Sequence, residues 1–595
     1  MFLKGDLMKK EQKQILLFSN KNNGVAKPIK KPKVVFKPYS QNQEFLLPKN
    51  LEEEIDVGHV CRLISSIIDE MDLTNIYERY KGGGTSAYNP SMLLKVWILG
   101  FVNKIYSSRP LAKALRENVT FMWISGKQNP DFRTLNSFRK SLGKEIHQVF
   151  KEIVVSGIKL GIISGKDIFI DHTKVEANAN KHKIIWRKNV ERRQKSIDEE
   201  LDDLFDYIDK VNEEEDKIFG DKDLPEKERK GFDKDKVKEI VEKINKRIKD
   251  GKVLHQKGVE IKKKVRRIAE LTMKNTDYDE KKNILGERNS YSKTDIGAVA
   301  MMMKDKLSIK PAYNEGIVVE NGFVINYILD DNCGDSKSFI PLMDGVIDNL
   351  GKTPETATAD AAYGNEENHA YLEDKKIGNY LKYNLYHKEK SKKWRENSFR
   401  INDFLYNQET NEFTCKNNSK LVFEKEVEEK TKTGYIRKSS RYKSSEEQCS
   451  NCSFKNKCTD GKARSLNVSF EAERLKNIAR QNLNSEKGKE LRKRRGNEVE
   501  SVFGDKKLNN RMPRFLLRGI KKVSIEAGLY FITHNIKKIH GYLNKAKDGK
   551  YEKEIIPLTN TILKNQKSFK NLVSSNFTFQ TTPSKKLLSK IENFI

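Results

Sequence analysis

Hydrophobic spacing divides the chain into helical, strand-like and interrupted stretches. From Leu46 to Gly161 the pattern is helical: Leu93, Leu94, Trp97, Ile98 and Phe101 recur at helical spacing behind Asn89, a good N-cap, and Pro90, which suits the first helical position. A second helix is expected from Ser108, with Arg109 and Pro110 in its first turn, and a third from Thr134 to Leu142. After Gly165 the run Ile168-Phe169-Ile170 reads as a short buried strand ending in Asp171, and Thr356-Ala357-Thr358-Ala359 ends in Asp360 in the same way. Between them, Gly316 to Val319 and Phe323 to Leu329 flank Asn321-Gly322, the strongest short-range hairpin signal, and a helix follows near Ser338 to Leu350. Glu500, within Asn497 to Gly504, stands at the head of a long helical stretch.

Two stretches interrupt this order. Ile197, Leu201, Leu204, Ile208 and Val211 follow 4-3-4-3 spacing, and Val237, Val241, Ile244 and Ile248 follow 4-3-4, with Leu224-Pro225 breaking the two apart. That is a helical hairpin with a coiled-coil-like seam, whose outer faces carry charges of both signs as solvated surface does. From Tyr386 to Leu475 the pattern is β, and four of the six cysteines fall in it: Cys415, Cys449, Cys452 and Cys458. The two-residue gap of Cys449-Ser450-Asn451-Cys452 lets both thiolates face one ion, and Cys415 and Cys458 complete a tetrahedral Zn²⁺ set. In a reducing compartment such a set is better suited to zinc than to disulfides. Cys61 and Cys333 are expected to be small buried residues.

The division that follows is a basic extended arm (1–44), a helical DNA-binding domain (45–160), three pieces of an α/β core (161–182, 295–385 and 476–540), a helical hairpin insertion (183–294), a four-cysteine β insertion (386–475) and a C-terminal tail (541–595).

Composition narrows the partners. An apolar fraction of 36% is enough for real cores. Lys and Arg number 115 against 84 Asp and Glu, a formal charge of +31. A surplus of that size favours a polyanion, because each cation that neutralises a phosphate releases a condensed counterion. A membrane surface is the other polyanion, but the most apolar window, Met92 to Val102, is broken by Lys95 and too short to span a bilayer. The N-terminus shows no export signal, so a cytoplasmic, nucleoid-associated protein is expected. Short helices joined by tight turns, with Arg116, Arg133, Arg139 and Lys140 on them, are compatible with helix-turn-helix recognition of double-stranded DNA.

Asp171, Asp360 and Glu500 carry the chemistry. Their separations (360 − 171 = 189; 500 − 360 = 140) require a folded core to bring them together. Two strand carboxylates and one helical carboxylate suit a pair of Mg²⁺ ions, which prefer oxygen ligands and clamp the attacking and leaving oxygens of a phosphoryl displacement. Glu498 and Glu176 are rival ligands; Glu498 is two residues from Glu500, so on a helix only one of the two can serve. His172 is read as lying outside the site. Trp186 and Tyr363 are candidates to stack on an unpaired base, with core packing favoured for Trp186.

Several ordered motifs then carry a resemblance: Ile170-Asp171-His172-Thr173-Lys174-Val175-Glu176-Ala177-Asn178-Ala179-Asn180, Ala359-Asp360-Ala361-Ala362-Tyr363-Gly364 and Val499-Glu500-Ser501-Val502-Phe503-Gly504, with Pro130 to Arg139 upstream and Arg514-Phe515-Leu516-Leu517-Arg518-Gly519 downstream. From about Phe36 to His540 the chain resembles the DDE transposases of bacterial insertion sequences, in the group numbered eleven-eighty-two. The resemblance implies an α/β fold with an RNase H-like mixed sheet. It also implies Asp171, Asp360 and Glu500 as catalytic ligands of two Mg²⁺ or Mn²⁺ ions, inverted-repeat and target DNA as partners, and a homodimer or higher multimer on that DNA. The chain departs from the pattern of broader relatives in placing Lys493 and Gly496 where a tyrosine and an arginine precede the glutamate. Arg494, Arg495 and Lys507 are then the candidate phosphate clamps, with Arg514 and Arg518 also on the DNA side. A metal-dependent endonuclease and a domesticated, non-cutting DNA-binding protein are the alternatives.

Overall fold

The computed structural model describes residues 50–547 except 81–85, most of 220–254, and Lys306, Lys390, Asn397 and Ser398. The expected basic arm, the seam from Val237 to Ile248 and nearly all of the C-terminal tail lie outside the described residues. Of the first 53 residues only 50–53 are described, in a short 3-10 turn, Leu51–Glu54.

The central sheet has six strands, whose pairing and direction fix everything downstream. In chain order the strands are β1 (Asp167–Glu176), β2 (Ile184–Trp186), β3 (Ser290–Ser292), β4 (Val299–Met302), β5 (Ile309–Glu320), β6 (Phe323–Asp330), β7 (Thr356–Gly364) and β8 (Gly378–Tyr383). β2 and β3 pair only with each other, and the six-stranded order is β4-β5-β1-β7-β8 with β6 also on β5. β1 is antiparallel to β5 and parallel to β7, and β7 is parallel to β8. The β5–β6 turn is as expected, with φ of 56° at Asn321 and 70° at Gly322, the positive pair that a two-residue hairpin needs.

Strand limits differ from the sequence reading for a physical reason. β1 continues five residues past Asp171, and β5 begins at Ile309 rather than Gly316. Those extensions are rich in polar side chains that hide the apolar signal, yet several find partners inside. Lys174 Nζ donates to Asn314 Oδ1 at 2.8 Å and to Asp335 Oδ1 at 3.0 Å, and Glu315 is wholly buried against Lys506.

Helices cover the sheet in one continuous core. Helix Pro90–Val102 begins where expected: Asn89 Oδ1 accepts from Ser91 N at 2.8 Å and Pro90 takes the first position. It is buried on nearly every side, which makes it the centre of the helical layer. The long helix Ile520–Lys547 packs on it, on Glu145–Lys159 and on β6. Its Asn535 accepts from Val324 N at 2.9 Å and donates to Val324 O at 2.8 Å. A side-chain amide thereby occupies the free backbone of β6, a device that blunts a sheet edge.

The two interruptions form units of their own. Helices Arg187–Phe219 and His255–Leu285 pack through Ile197, Leu201, Phe205, Ile261, Val265, Ile268 and Leu271. The first helix keeps its expected seam at Ile197 and Leu201, and the described return stretch is His255–Leu285. The second unit is an antiparallel sheet, β9 (Leu405–Asn407), β10 (Glu412–Thr414), β11 (Lys420–Lys430), β12 (Ile436–Ser444) and β13 (Ser465–Val468), ordered β13-β12-β11-β10-β9 around Phe413, Leu421 and Tyr442. Among the described residues no helix is long and apolar enough to cross a membrane.

Gly364 closes β7 against β8, where a Cβ would meet the Lys382 carbonyl and come within 2.6 Å of Tyr383 Cα. Backbone cannot yield as a flexible side chain does, so Gly364→Ala is expected to cost about 1–3 kcal/mol, the usual range for overpacking. A thermal midpoint equal to that of the unchanged protein would show that the strands separate freely here.

Candidate functional site

The parallel register brings the two aspartates together. β1 and β7 pair as Asp167 with Thr356, Ile168 with Ala357 and Phe169 with Thr358, an offset of 189 (356 − 167). Two residues further, past the last paired residues, the same offset would set Asp171 opposite Asp360 (360 − 171 = 189). The parallel pairing stops at Phe169, while β1 stays bonded to β5 as far as Glu176. Both aspartates therefore lie mid-strand, at the carboxyl-end limit of the parallel pairing rather than at the strand ends, where open α/β sheets place their ligands.

A cation already joins them. Arg495 Nη2 stands 3.1 Å from Asp171 Oδ1 and 3.7 Å from Asp360 Oδ2, and its Nε donates to Ile170 O at 3.4 Å. Burial pushes the Asp171 carboxyl above its ordinary range; Arg495 opposes this, Asp360 adds to it, and the His172 amide and Lys304 also oppose it. Lys304, on the β4–β5 connection, was not singled out by sequence. Its ammonium lies 5.7 Å from the Phe503 ring centroid, on the helix that carries Glu500.

Glu500 sits near the C-terminal end of helix Glu486–Gly504, not at its head, because the helix begins directly after the Ser485 cap, well ahead of Asn497. Leu491, Val499, Val502 and Phe503 anchor the helix, and Glu500 is exposed, with no hydrogen bond or ion pair among the described residues. Its rivals are occupied. Glu498 accepts from Gly322 N at 2.6 Å and lies 3.7 Å from Arg494, and Glu176 is paired with Lys310 at 2.9 Å.

Beyond Gly504 the helix widens into a π turn, Asp505–Asn509, closed by Asn510 N donating to Asp505 O at 2.8 Å. Both Lys506 and Lys507 of this turn are directed into the fold, as the consecutive Val502 and Phe503 are just before it. Lys506 is fully buried against Glu315, with its ammonium 4.7 Å from the Phe515 ring centroid and 5.1 Å from those of Tyr530 and Phe531. Lys507 Nζ donates to Thr173 Oγ1 at 2.6 Å and Lys174 O at 2.9 Å. Burial pushes Lys507 down to about 8, with Glu315 opposing and Lys304 and Lys506 adding. Arg495 and Lys507 thus tie the helix to β1 on either side of Glu500 in sequence.

The other expected residues divide. Arg139 is a correction: it is 4% exposed, lies 4.3 Å over the Trp97 ring and donates to Tyr106 O at 2.8 Å, so it braces the helical core and is closed to DNA. Arg133 and Lys140 are exposed. Arg494 is held by Asp167 at 3.3 Å and lies over Phe169. Arg514 and Arg518 are exposed but donate to backbone carbonyls of the Ala177–Ala179 loop, at 3.1 Å to Ala177 O and 2.8 Å to Asn178 O. Their segment also bridges to Glu176, and its Leu516 and Leu517 amides donate to buried Glu526. Tyr363 is buried and bonded to His172, which is buried too, while Trp186 is 37% exposed, so it is Tyr363 and not Trp186 that packs in the core. Cys333 is exposed, unlike Cys61.

The four cysteines of the second sheet are neighbours. Cys415 and Cys458 pack on its small core, and the Cys458 thiol is raised by burial, with Cys415, Cys449 and Cys452 adding. Soft thiol donors suit zinc and the aspartate pair suits a hard cation. Among the described residues, however, no three or more His, Cys, Asp or Glu side chains are grouped so as to hold a metal ion. Glu500 is accordingly not gathered with Asp171 and Asp360.

Residues 414–540 match the family described as Transposase DDE domain, and 49–141 match the family described as Transposase domain (DUF772). No curated protein and no solved structure matches the chain. The two matches support an insertion-sequence transposase of the DDE type and, with it, a DNA substrate. The first spans Glu500 and neither spans Asp171 or Asp360, so the aspartates rest on the sheet register.

The buried Lys506–Glu315 pair holds the helix end on β5, and Glu315→Gln would leave the ammonium without a charge partner. The expected loss is about 3–5 kcal/mol, with recovery when Lys506→Met and Glu315→Leu are combined. Denaturant unfolding of the single and double variants decides it; a single variant as stable as the unchanged protein would remove the pair from this role.

Proposed function

We propose that the protein is a DDE transposase of the group numbered eleven-eighty-two, with an RNase H-like core, that binds the terminal inverted repeats of its element, cleaves the strand at each end and joins the freed 3′-hydroxyl to target DNA. The observation that supports this reading is that one guanidinium, Arg495 on the helix that carries Glu500, reaches both Asp171 and Asp360. Asp171, Asp360 and Glu500 would hold two Mg²⁺ or Mn²⁺ ions, which when bound supply activation of water and charge neutralisation at the reacting phosphate. Glu500 is free to complete the set because its rivals are already engaged.

The chain's own residues would do the positioning. Lys507 and Lys304, whose charges both act on Asp171, are candidate phosphate partners. Arg133 and Lys140, exposed on helix Phe132–Ser141, would contact the duplex backbone, and the protein would act as a homodimer or higher multimer on paired ends. Cys415, Cys449, Cys452 and Cys458 would hold one structural Zn²⁺ that staples the second sheet.

Asp171→Asn, Asp360→Asn and Glu500→Gln are each expected to abolish metal-dependent cleavage of element-end DNA while gel-shift affinity stays within about twofold, because binding rests on phosphate contacts elsewhere. Cutting by any of the three would remove that residue from the site. For the cysteines, elemental analysis of protein purified without chelator is expected to give about one Zn²⁺ per chain, as a closed site of four thiolates holds. Cys452→Ser is expected to lose that ion and lower the thermal midpoint; metal-free protein of unchanged stability would end the zinc assignment.

A further inference from the structure

We infer that Arg495 is the internal counter-ion of the aspartate pair, exchanged for divalent metal and thereby released to grip the DNA backbone. The inference rests on the proposed reading of Asp171 and Asp360 as metal ligands.

Three observations carry it. First, one guanidinium reaches both carboxylates, at 3.1 and 3.7 Å, and the fork geometry and weak hydration of arginine suit that bridging. Second, Arg495 is the cation in ion-pair contact with the aspartates. Lys304 and Lys507 also act on Asp171 but neither pairs with it among the described residues, and a divalent ion between the carboxylates would repel the guanidinium. Third, Arg495 has little else to hold it. Beyond the carboxylates, the hydrogen bond of its side chain among the described residues is the long one to Ile170 O at 3.4 Å. Arg494 beside it is fixed by Asp167, Glu498 and the Phe169 ring.

A guanidinium displaced from this position would be free to pair with a phosphate of bound DNA. Binding of metal and of DNA would then favour each other through one side chain, and the coupling must be equal in both directions. Arg495 is in this account a positioning residue.

The test uses the full chain, Mn²⁺ followed by electron paramagnetic resonance, and duplex DNA of arbitrary sequence followed by fluorescence anisotropy. In the unchanged protein, DNA is expected to tighten Mn²⁺ binding by about fivefold or more, and Mn²⁺ to tighten DNA binding equally. In Arg495→Gln, Mn²⁺ is expected to bind more tightly without DNA, because the competing cation is gone, and the mutual enhancement is expected to disappear. Mn²⁺ affinity unchanged by the substitution, or enhancement retained in full, overturns the inference. If Arg495→Gln does not fold, Arg495→Lys retains the charge without the fork, and enhancement equal to that of the unchanged protein overturns the inference in the same way. Asp171→Asn run alongside separates the two levels: unimpaired Mn²⁺ binding there would overturn the metal reading of the aspartate itself.

Discussion

Two carboxylates set side by side by a parallel register repel each other unless a cation stands with them, and the rest of the site is arranged around that constraint. The pairing is held by buried residues, Ile168 and Phe169 on β1 against Ala357 and Thr358 on β7, all wholly or almost wholly shielded from water. A slip of one residue would exchange these packed side chains between the two faces of the sheet. The core therefore holds the aspartates together whether or not their charges favour it, and Arg495 supplies the positive charge that this placement requires.

The helix bearing Arg495 is held accordingly. Arg494 and Arg495 tie one part of it to Asp167 and to the aspartate pair, and the π turn ties the other through Lys506 and Lys507. The burial of a lysine and a glutamate in one pair is costly unless their geometry is good. Here three aromatic rings surround the ammonium, whose pairing with Glu315 bridges the π turn and β5. The Arg514 to Leu517 segment then returns along the end of β1, capped by Glu526 of the closing helix.

What was legible in the sequence follows from what the side chains do. Asp171 and Asp360 were legible because each follows an apolar run, and the Asn321-Gly322 turn because its backbone needs positive φ. The length of β1 and β5 was not, since Thr173, Lys174, Asn314 and Glu315 are polar residues satisfied by partners distant in sequence. Arg139 was misread for the converse reason: a basic side chain on a helix looks solvated until Trp97 and the Tyr106 carbonyl are seen to enclose it. The burial of Lys506 was hidden because its charge partner, Glu315, lies far away in sequence. The family matches cover the helical layer and the stretch containing Glu500, which complements the register argument for the aspartates rather than repeating it.

The central claim is that the paired aspartates form a cation site whose resting occupant is Arg495. Anomalous diffraction from crystals of the full chain grown with Mn²⁺ measures this most directly. The account predicts an anomalous peak between the Asp171 and Asp360 carboxylates, with the Arg495 guanidinium withdrawn from both. Saturating Mn²⁺ with no peak there, and Arg495 still bridging the two aspartates, would contradict it.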